Sequence, residues 1–281
     1  MSTSLPRANI FDVVNERISA FVREPSNQRL LPGTGSYSAL FRGSLFGLAE
    51  SAAVAERLTT RGVDVLWLGT NPCVPQSLEY IINPPKGRGD FPDFERQMES
   101  GLFSSRRWNG HGQPSPDWSP IERPTHKWEV YRNVLVAVGA RLDHVAMANF
   151  IPWGSQNIRD LVKELGAANR PLLERALAFA DDVNAEFVQA LAPKLVVVPF
   201  SLGKEPKLDA VRPGTLTLAR ATDRQNHTVP LRRKFNFHTG SCQRGSLTVR
   251  TVFLPHPDSL RLSREEKPRV VEEVVKVLAK L

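Results

Sequence analysis

The fold is decided by residues 63–73, which read Val-Asp-Val-Leu-Trp-Leu-Gly-Thr-Asn-Pro-Cys. This stretch begins as an apolar, β-branched run and stops abruptly at turn-forming residues, a pattern that predicts a buried strand followed by a sharp turn. Gly69 allows backbone angles closed to other residues, and Pro72 fixes φ and removes a hydrogen-bond donor. In open α/β sheets, ligands bind just outside the carboxyl ends of the strands. Asn71, whose amide is both a donor and an acceptor, is therefore a candidate functional side chain.

The composition indicates a basic globular protein. The chain has 281 residues, of which 41% are hydrophobic, enough for one large domain with a substantial core. Lys and Arg number 37 against 29 Asp and Glu, an excess of +8. Such an excess favours a polyanionic partner, most often nucleic acid, although a solvated surface that happens to be basic is the plainer alternative.

The two cysteines, Cys73 and Cys242, imply neither a disulfide framework nor a four-cysteine iron–sulfur cluster. No apolar run approaches the roughly 20 residues that a membrane-spanning helix needs. The first seven residues lack the apolar core of a signal peptide. We therefore expect a cytoplasmic protein without membrane association.

Predicted strands and helices alternate along the chain, which indicates an α/β fold with a mostly parallel sheet. We expect a three-layer α/β/α sandwich around a four-stranded central sheet, with residues 1–37 as an N-terminal helix and loop extension and residues 38–281 as one domain. A break is expected at Pro171, and Ser263 with Glu266 forms a predicted capping box. The predicted helices lie at about 9–24, 38–60, 127–141, 157–191 and 263–281, and the further strands at 144–151, 194–200 and 247–256.

Two basic inserts interrupt this pattern, at about residues 82–126 and 201–246. In the first insert, Arg106 and Arg107 lie among Phe and Trp residues, a composition that suits single-stranded or flipped nucleotides but also a surface loop anchored by buried rings. The other insert is predicted to be irregular, with a hairpin at 214–219. It contains His227, His238 and Cys242, but without Cys-x-x-Cys spacing we expect no zinc site.

Three predicted strands end close to a polar residue and a proline: the polar residues are Asn71, Asn149 and His256. Right-handed crossovers between parallel strands bring such ends to one edge of the sheet. Singly, each residue has a plainer use, since Asn often caps a turn or a helix and a lone His is more often structural. Together they predict one polar site at the sheet edge.

These motifs resemble those of the uracil-DNA glycosylase superfamily. Gly69-Thr-Asn-Pro72 is similar to the Gly-x-Asn-Pro-Gly motif of its mismatch-specific and single-strand-selective branches. Asn149-Phe-Ile-Pro152 resembles the strand-end Asn of the base pocket, and His256-Pro-Asp-Ser-Leu-Arg261 resembles the His-Pro-Ser motif and the loop that wedges into DNA. The sequence departs from the family at Cys73, where those branches have Gly, and at Asp258, where Ser is usual. Position 71 also lacks the Asp of the most active branch.

The resemblance implies a monofunctional DNA glycosylase that hydrolyses the N-glycosidic bond of a flipped uracil-like or modified pyrimidine base and leaves an abasic site. The reaction would serve base-excision repair, or defence against phages whose DNA carries a modified base such as glucosylated hydroxymethylcytosine. By resemblance, Asn71 positions the attacking water, His256 stabilises the departing base and Asn149 reads the base edge. We expect no metal or other cofactor, a monomeric protein, and double- or single-stranded DNA as the partner.

The remaining predicted site residues surround these three. Gly69, Thr70, Pro72 and Cys73 would line the base pocket, and Phe91 would stack on the base, although packing within its loop is the plainer role for that ring. The predicted DNA contacts are Ser259, Leu260, Arg261, Arg106 and Arg107. Two alternatives remain: a non-catalytic nucleic-acid-binding module on the same fold, and an enzyme acting on a free nucleotide or nucleoside, for which the chain lacks both glycine-rich phosphate-binding motifs.

Overall fold

A computed structural model describes residues 10–28, 58–69, 128–150, 170–199, 221–257 and 260–280 of the chain. These residues form an α/β fold with a mixed sheet of six strands. Residues 58–61 are also helical, and a 3₁₀ turn covers Leu142–His144. The elements in chain order are α1 (Ile10–Arg23), α2 (Pro25–Gln28), β1 (Val65–Gly69), α3 (Glu129–Ala137), β2 (Val145–Asn149), α4 (Arg170–Leu191), β3 (Leu195–Pro199), β4 (Thr222–Val229), β5 (Phe235–Arg244), β6 (Leu247–Leu254) and α5 (Glu266–Leu278).

The sheet has the strand order β2-β1-β3-β6-β5-β4. Strands β2, β1, β3 and β6 are parallel neighbours, and these are the four strands that the sequence predicts. Strand β5 runs antiparallel to β6, and β4 antiparallel to β5. The expectation of an α/β fold is therefore confirmed, but the sheet is mixed and has six strands, so the count of four strands is wrong.

The two additional strands come from the insert at 201–246, for which the sequence predicts irregular structure. Strand β4 reads TDRQNHTV and is exposed over most of its length, because it is the outermost strand of the sheet. An edge strand with polar residues on both faces shows none of the apolar alternation from which strands are predicted. The predicted hairpin at 214–219 lies outside the described residues.

The sheet is covered by helices on both faces. Leu66 and Leu68 of β1 belong to a buried core cluster with residues of α1 and α4. Val65 and Trp67, which alternate with them and point to the opposite face, belong to a second cluster with residues of α3 and α5. Burial on both faces explains why β1 is apolar at almost every position.

Helix α1 corresponds to the helix predicted at 9–24. Its Val14 and Ile18 are buried in the same cluster as α4, so this part of the predicted N-terminal extension shares its core with the sheet. The predicted helix at 38–60 lies outside the described residues except for its last turn. None of the described helices is long and apolar enough to cross a bilayer.

The starts of α4 and α5 follow local sequence signals. The Ser263 backbone amide donates to Glu266 Oε2 at 2.8 Å, and the Glu266 amide donates to Ser263 Oγ at 3.3 Å, which confirms the predicted capping box. Pro171 is the second residue of α4. Because an amide in the first turn has no intrahelical acceptor, proline is tolerated there, and Pro171 lies at the start of a helix.

Candidate active site at the carboxyl edge of the sheet

The carboxyl ends of the four parallel strands lie in one row. Gly69 of β1 is level with Asn149 of β2, and Pro199 of β3 is level with Leu254 of β6. Since neighbouring strands lie about 4.8 Å apart, the row from β2 to β6 spans on the order of 14 Å. His256 follows Leu254 by two residues. The backbones of the three predicted motifs therefore reach the same edge of the sheet.

The junction between β1 and β2 is held by backbone and side-chain hydrogen bonds. The Phe150 amide donates to the Gly69 carbonyl oxygen at 2.7 Å, which continues the strand pairing one residue past Asn149. The Phe150 carbonyl oxygen accepts a hydrogen bond of 2.6 Å from Nδ2 of Asn184, a buried residue of α4 that also donates to the Ala180 carbonyl at 2.7 Å. The backbone at Asn149 is therefore fixed against both β1 and α4.

The segment after β6 is anchored to helix α3. The hydroxyl of Tyr131 donates to the Pro255 carbonyl oxygen at 2.5 Å, directly before the half-buried His256. Tyr131 is only 1% exposed, and this burial raises the pKa of its phenol well above the ordinary value. The hydroxyl therefore stays protonated and remains a donor. A second hydrogen bond, from the Leu260 amide to the Pro257 carbonyl at 3.2 Å, ties the following segment to Pro257.

Three aromatic rings support this anchor from inside the core. Tyr131 meets Trp67 of β1 edge to face, with ring centroids 5.1 Å apart, and Trp128 lies 5.0 Å from Trp67. The cluster links the strand that carries the Gly69 motif to the helix that holds Pro255. The sequence pattern shows Tyr131 only as one apolar position of a helix. The missed signal is its hydroxyl, because a buried tyrosine needs a hydrogen-bond partner.

The structure describes only part of the predicted site. Leu260 packs partly against the core cluster beside α3 and α5, and Arg261 is exposed. The backbone of Asn149 is described, and Gly69 is buried. The other predicted residues lie outside the described ranges, so their roles stay predictions: Thr70, Asn71, Pro72, Cys73, Phe91, Arg106, Arg107 and Ser259.

The three residues weighed as zinc ligands do not converge. His227 stacks on Phe237 with centroids 4.7 Å apart, and its Nε2 lies 3.0 Å from the Thr239 hydroxyl. His238 is paired with Asn226, the residue of β4 next to His227, so its side chain lies on the opposite face of the sheet from that of His227. Cys242 is buried, which raises the pKa of its thiol. Across the described ranges, no group of three or more His, Cys, Asp or Glu side chains is arranged to hold a metal ion.

None of the known protein families matches the sequence, and no characterised protein is significantly similar to it. The resemblance to the uracil-DNA glycosylase superfamily therefore depends on three short motifs, on their order along the chain and on the strands that precede them.

Proposed function

We propose that the chain is a monofunctional DNA glycosylase that hydrolyses the N-glycosidic bond of a flipped uracil-like or modified pyrimidine base. The observation that carries this proposal is the common edge reached by the backbones of Gly69, Asn149 and His256. The proposal includes the finer fold description, a three-layer α/β/α sandwich of the glycosylase type with a six-stranded rather than four-stranded sheet. It also includes a monomeric protein that works in the cytoplasm.

The chemistry suits residues of these types. When the glycosidic bond breaks, negative charge develops on the departing base and positive charge on the sugar. A donor held in advance at the base carbonyl stabilises that negative charge, and removing one such donor typically costs about 10²–10³ in rate. His256 would be this donor, and the Tyr131 hydroxyl restrains the backbone from which it extends. Asn71 would orient the attacking water by its carbonyl oxygen, without removing a proton.

Two substrates follow from the resemblance, and they differ in the size of the base. Uracil or another deaminated base is the family default and fits a role in base-excision repair. A bulky pyrimidine, such as glucosylated hydroxymethylcytosine, fits a role in defence against phages with modified DNA. Two sequence features, the large first insert and the departure at Cys73, favour the bulky substrate.

The test is the release of bases from defined DNAs. We expect incubation with uracil-containing oligonucleotides, or with DNA that carries glucosylated hydroxymethylcytosine, to release the free base, identified by mass spectrometry, and to leave alkali-labile abasic sites. Replacing Asn71→Ala or His256→Ala should reduce release by about 10²–10³ while DNA binding is nearly unchanged.

The variant Thr228→Val is a suitable control, because it removes an exposed hydroxyl on the outermost strand and should release bases like the wild type. If no DNA yields a free base, the glycosylase proposal fails. Salt-dependent DNA binding without base release would then support the non-catalytic binding module.

A further inference from the structure

We propose that the tip of the β4–β5 hairpin, residues Arg232, Arg233 and Lys234, is a contact surface for the phosphate backbone of a nucleic acid. These three residues connect β4 to β5 and are all exposed. Nothing in the sequence pattern places them near the candidate site, because they belong to an insert for which that pattern predicts irregular structure.

The pairing of β5 with β6 brings the hairpin tip to the carboxyl edge of the sheet. His238 is opposite Phe253, and Thr239 is opposite Val252. The same register, extended past the end of β6, sets Phe235 level with His256. Adjacent strands lie about 4.8 Å apart, so Phe235 would lie about that distance from the His256 segment. Lys234 is the residue just before Phe235. A nucleic acid whose base reached His256 would therefore pass over the tip.

The backbone of the hairpin tip is restrained by helix α5. The Arg232 amide donates to Glu266 Oε1 at 3.2 Å, and Arg269 Nη2 donates to the Pro230 carbonyl at 3.2 Å. Leu231, next to the tip, packs against the core cluster that contains α3 and α5. These contacts hold the backbone while the three cationic side chains extend into solvent. A surface ordered in advance loses less conformational entropy on binding.

The charges at this edge suit phosphate groups. Arg261 and Arg264, which follow the His256 segment, are exposed as well. None of the ion pairs among the described residues uses a side chain of the tip, Arg261 or Arg264. Glu266 and Glu265 lie nearby and accept hydrogen bonds from Ser263, and Glu266 also interacts electrostatically with Arg232. Arg binds phosphate oxygens in a forked geometry, and a row of cations releases counterions from a polyanion.

The choice of nucleic acid over other polyanions rests on the proposed function, whereas the contact with phosphate follows from the charges and their location. The test is a variant that neutralises the tip, Arg232→Gln, Arg233→Gln and Lys234→Gln. Its matched control removes the same charge at the opposite edge, Arg61→Gln, Lys276→Gln and Lys280→Gln. Lys276 lies ten residues along α5 from Glu266, or about 15 Å at 1.5 Å per residue.

Fluorescence anisotropy with labelled duplex and single-stranded oligonucleotides, over about 50–200 mM salt, measures the affinity and its salt dependence. We expect neutralising the tip to weaken duplex binding about tenfold or more at low salt. The slope of log K against log salt should decrease in magnitude by up to about 2.7, because each of the three lost phosphate contacts contributes about 0.9. The control should change both quantities much less. The charge-conserving variant Arg232→Lys, Arg233→Lys should keep most of the slope. It shows whether the loss of DNA binding in the tip variant comes from the lost charge or from unfolding.

Equal losses in the tip variant and in the control would overturn the proposal, because net charge alone would then explain binding. An unchanged slope in the tip variant would also overturn it. If that variant lost binding to phosphatidylserine vesicles but not to DNA, the tip would be a membrane contact instead. Base release is measured in the same samples. If the tip variant lowers the salt slope but no protein releases bases, only the glycosylase proposal is contradicted. If bases are released but the tip variant leaves the salt slope unchanged, only the proposed contact surface is contradicted.

Discussion

The variant Tyr131→Phe tests whether helix α3 holds the His256 segment in place. The Tyr131 hydroxyl lies 2.5 Å from the Pro255 carbonyl oxygen, and the tyrosine is 1% exposed. Phenylalanine keeps the ring that packs against Trp67 and Trp128, so the substitution removes only the hydroxyl and its hydrogen bond.

The expected cost follows from the burial of the two partners. A buried acceptor left without its donor typically costs about 1–3 kcal/mol. Pro255 is only partly buried, so its carbonyl can recover part of this energy by hydrogen bonding to water, and we expect a loss of about 1–2 kcal/mol in the free energy of unfolding. For a chain of this size, that loss lowers Tm by roughly 2–8 °C. If the His256 segment also shifts by about 1 Å, the rate of base release falls by up to about 10².

Urea unfolding and single-turnover base release measure the two effects separately. The control is Thr228→Val, which removes a hydroxyl that donates to Asn236 Oδ1 at 2.9 Å on the exposed edge strand. That change should stay within about 0.5 kcal/mol. A Tyr131→Phe variant with the wild-type unfolding midpoint would refute the argument from burial. Lower stability with unchanged base release would show that the position of His256 does not limit the reaction.

Two ion pairs give further predictions. Hydrogen bonding to Arg141, together with Lys194, holds the pKa of Asp64 well below its usual range, so its stabilisation is present above pH about 4 and is lost as the pH falls through the lowered pKa. Asp64→Asn should therefore lower the free energy of unfolding by about 1–2 kcal/mol near neutral pH, a modest value because both cations are more than half exposed. Urea titrations at several pH values measure the stability difference between this variant and the wild type. A difference that does not shrink below pH 4 would contradict the prediction. Arg244, 1% exposed, binds Asp181. Because the pair is buried, replacing both partners (Arg244→Met with Asp181→Leu) should be nearly neutral, whereas Asp181→Ala alone should cost about 3 kcal/mol by leaving a buried cation. A double variant that calorimetry finds as destabilised as Asp181→Ala would refute this reasoning.

Elements with strong local signals are predicted from the sequence with nearly correct bounds. The four parallel strands are apolar because helices cover both faces of the sheet, and the capping box at Ser263 needs only residues within one helical turn. The polar strand β4 escapes prediction for the opposite reason. Its stability comes from pairing with β5, and one face of an edge strand needs no apolar side chains to remain paired.

The candidate site is likewise predicted in part from local sequence and determined in part by contacts between distant residues. The sequence alone indicates Asn71, Asn149 and His256 as polar residues after strands, and right-handed crossovers bring their strand ends to one edge. The partners that hold this edge are distant in sequence: Tyr131 and Pro255 are separated by 124 positions. No local period encodes such a contact, because it depends on which strands become neighbours in the sheet.

What the sequence settles for this protein is the kind of most main elements and the order of the polar residues along the chain. These depend on interactions within a few residues. The tertiary structure decides which strands lie side by side, adds the β4–β5 hairpin to the sheet and places β5 against β6, the strand that leads into the His256 segment. The physical reason is that strand pairing and burial are satisfied between residues far apart in the chain, and only the folded arrangement selects among the possible partners.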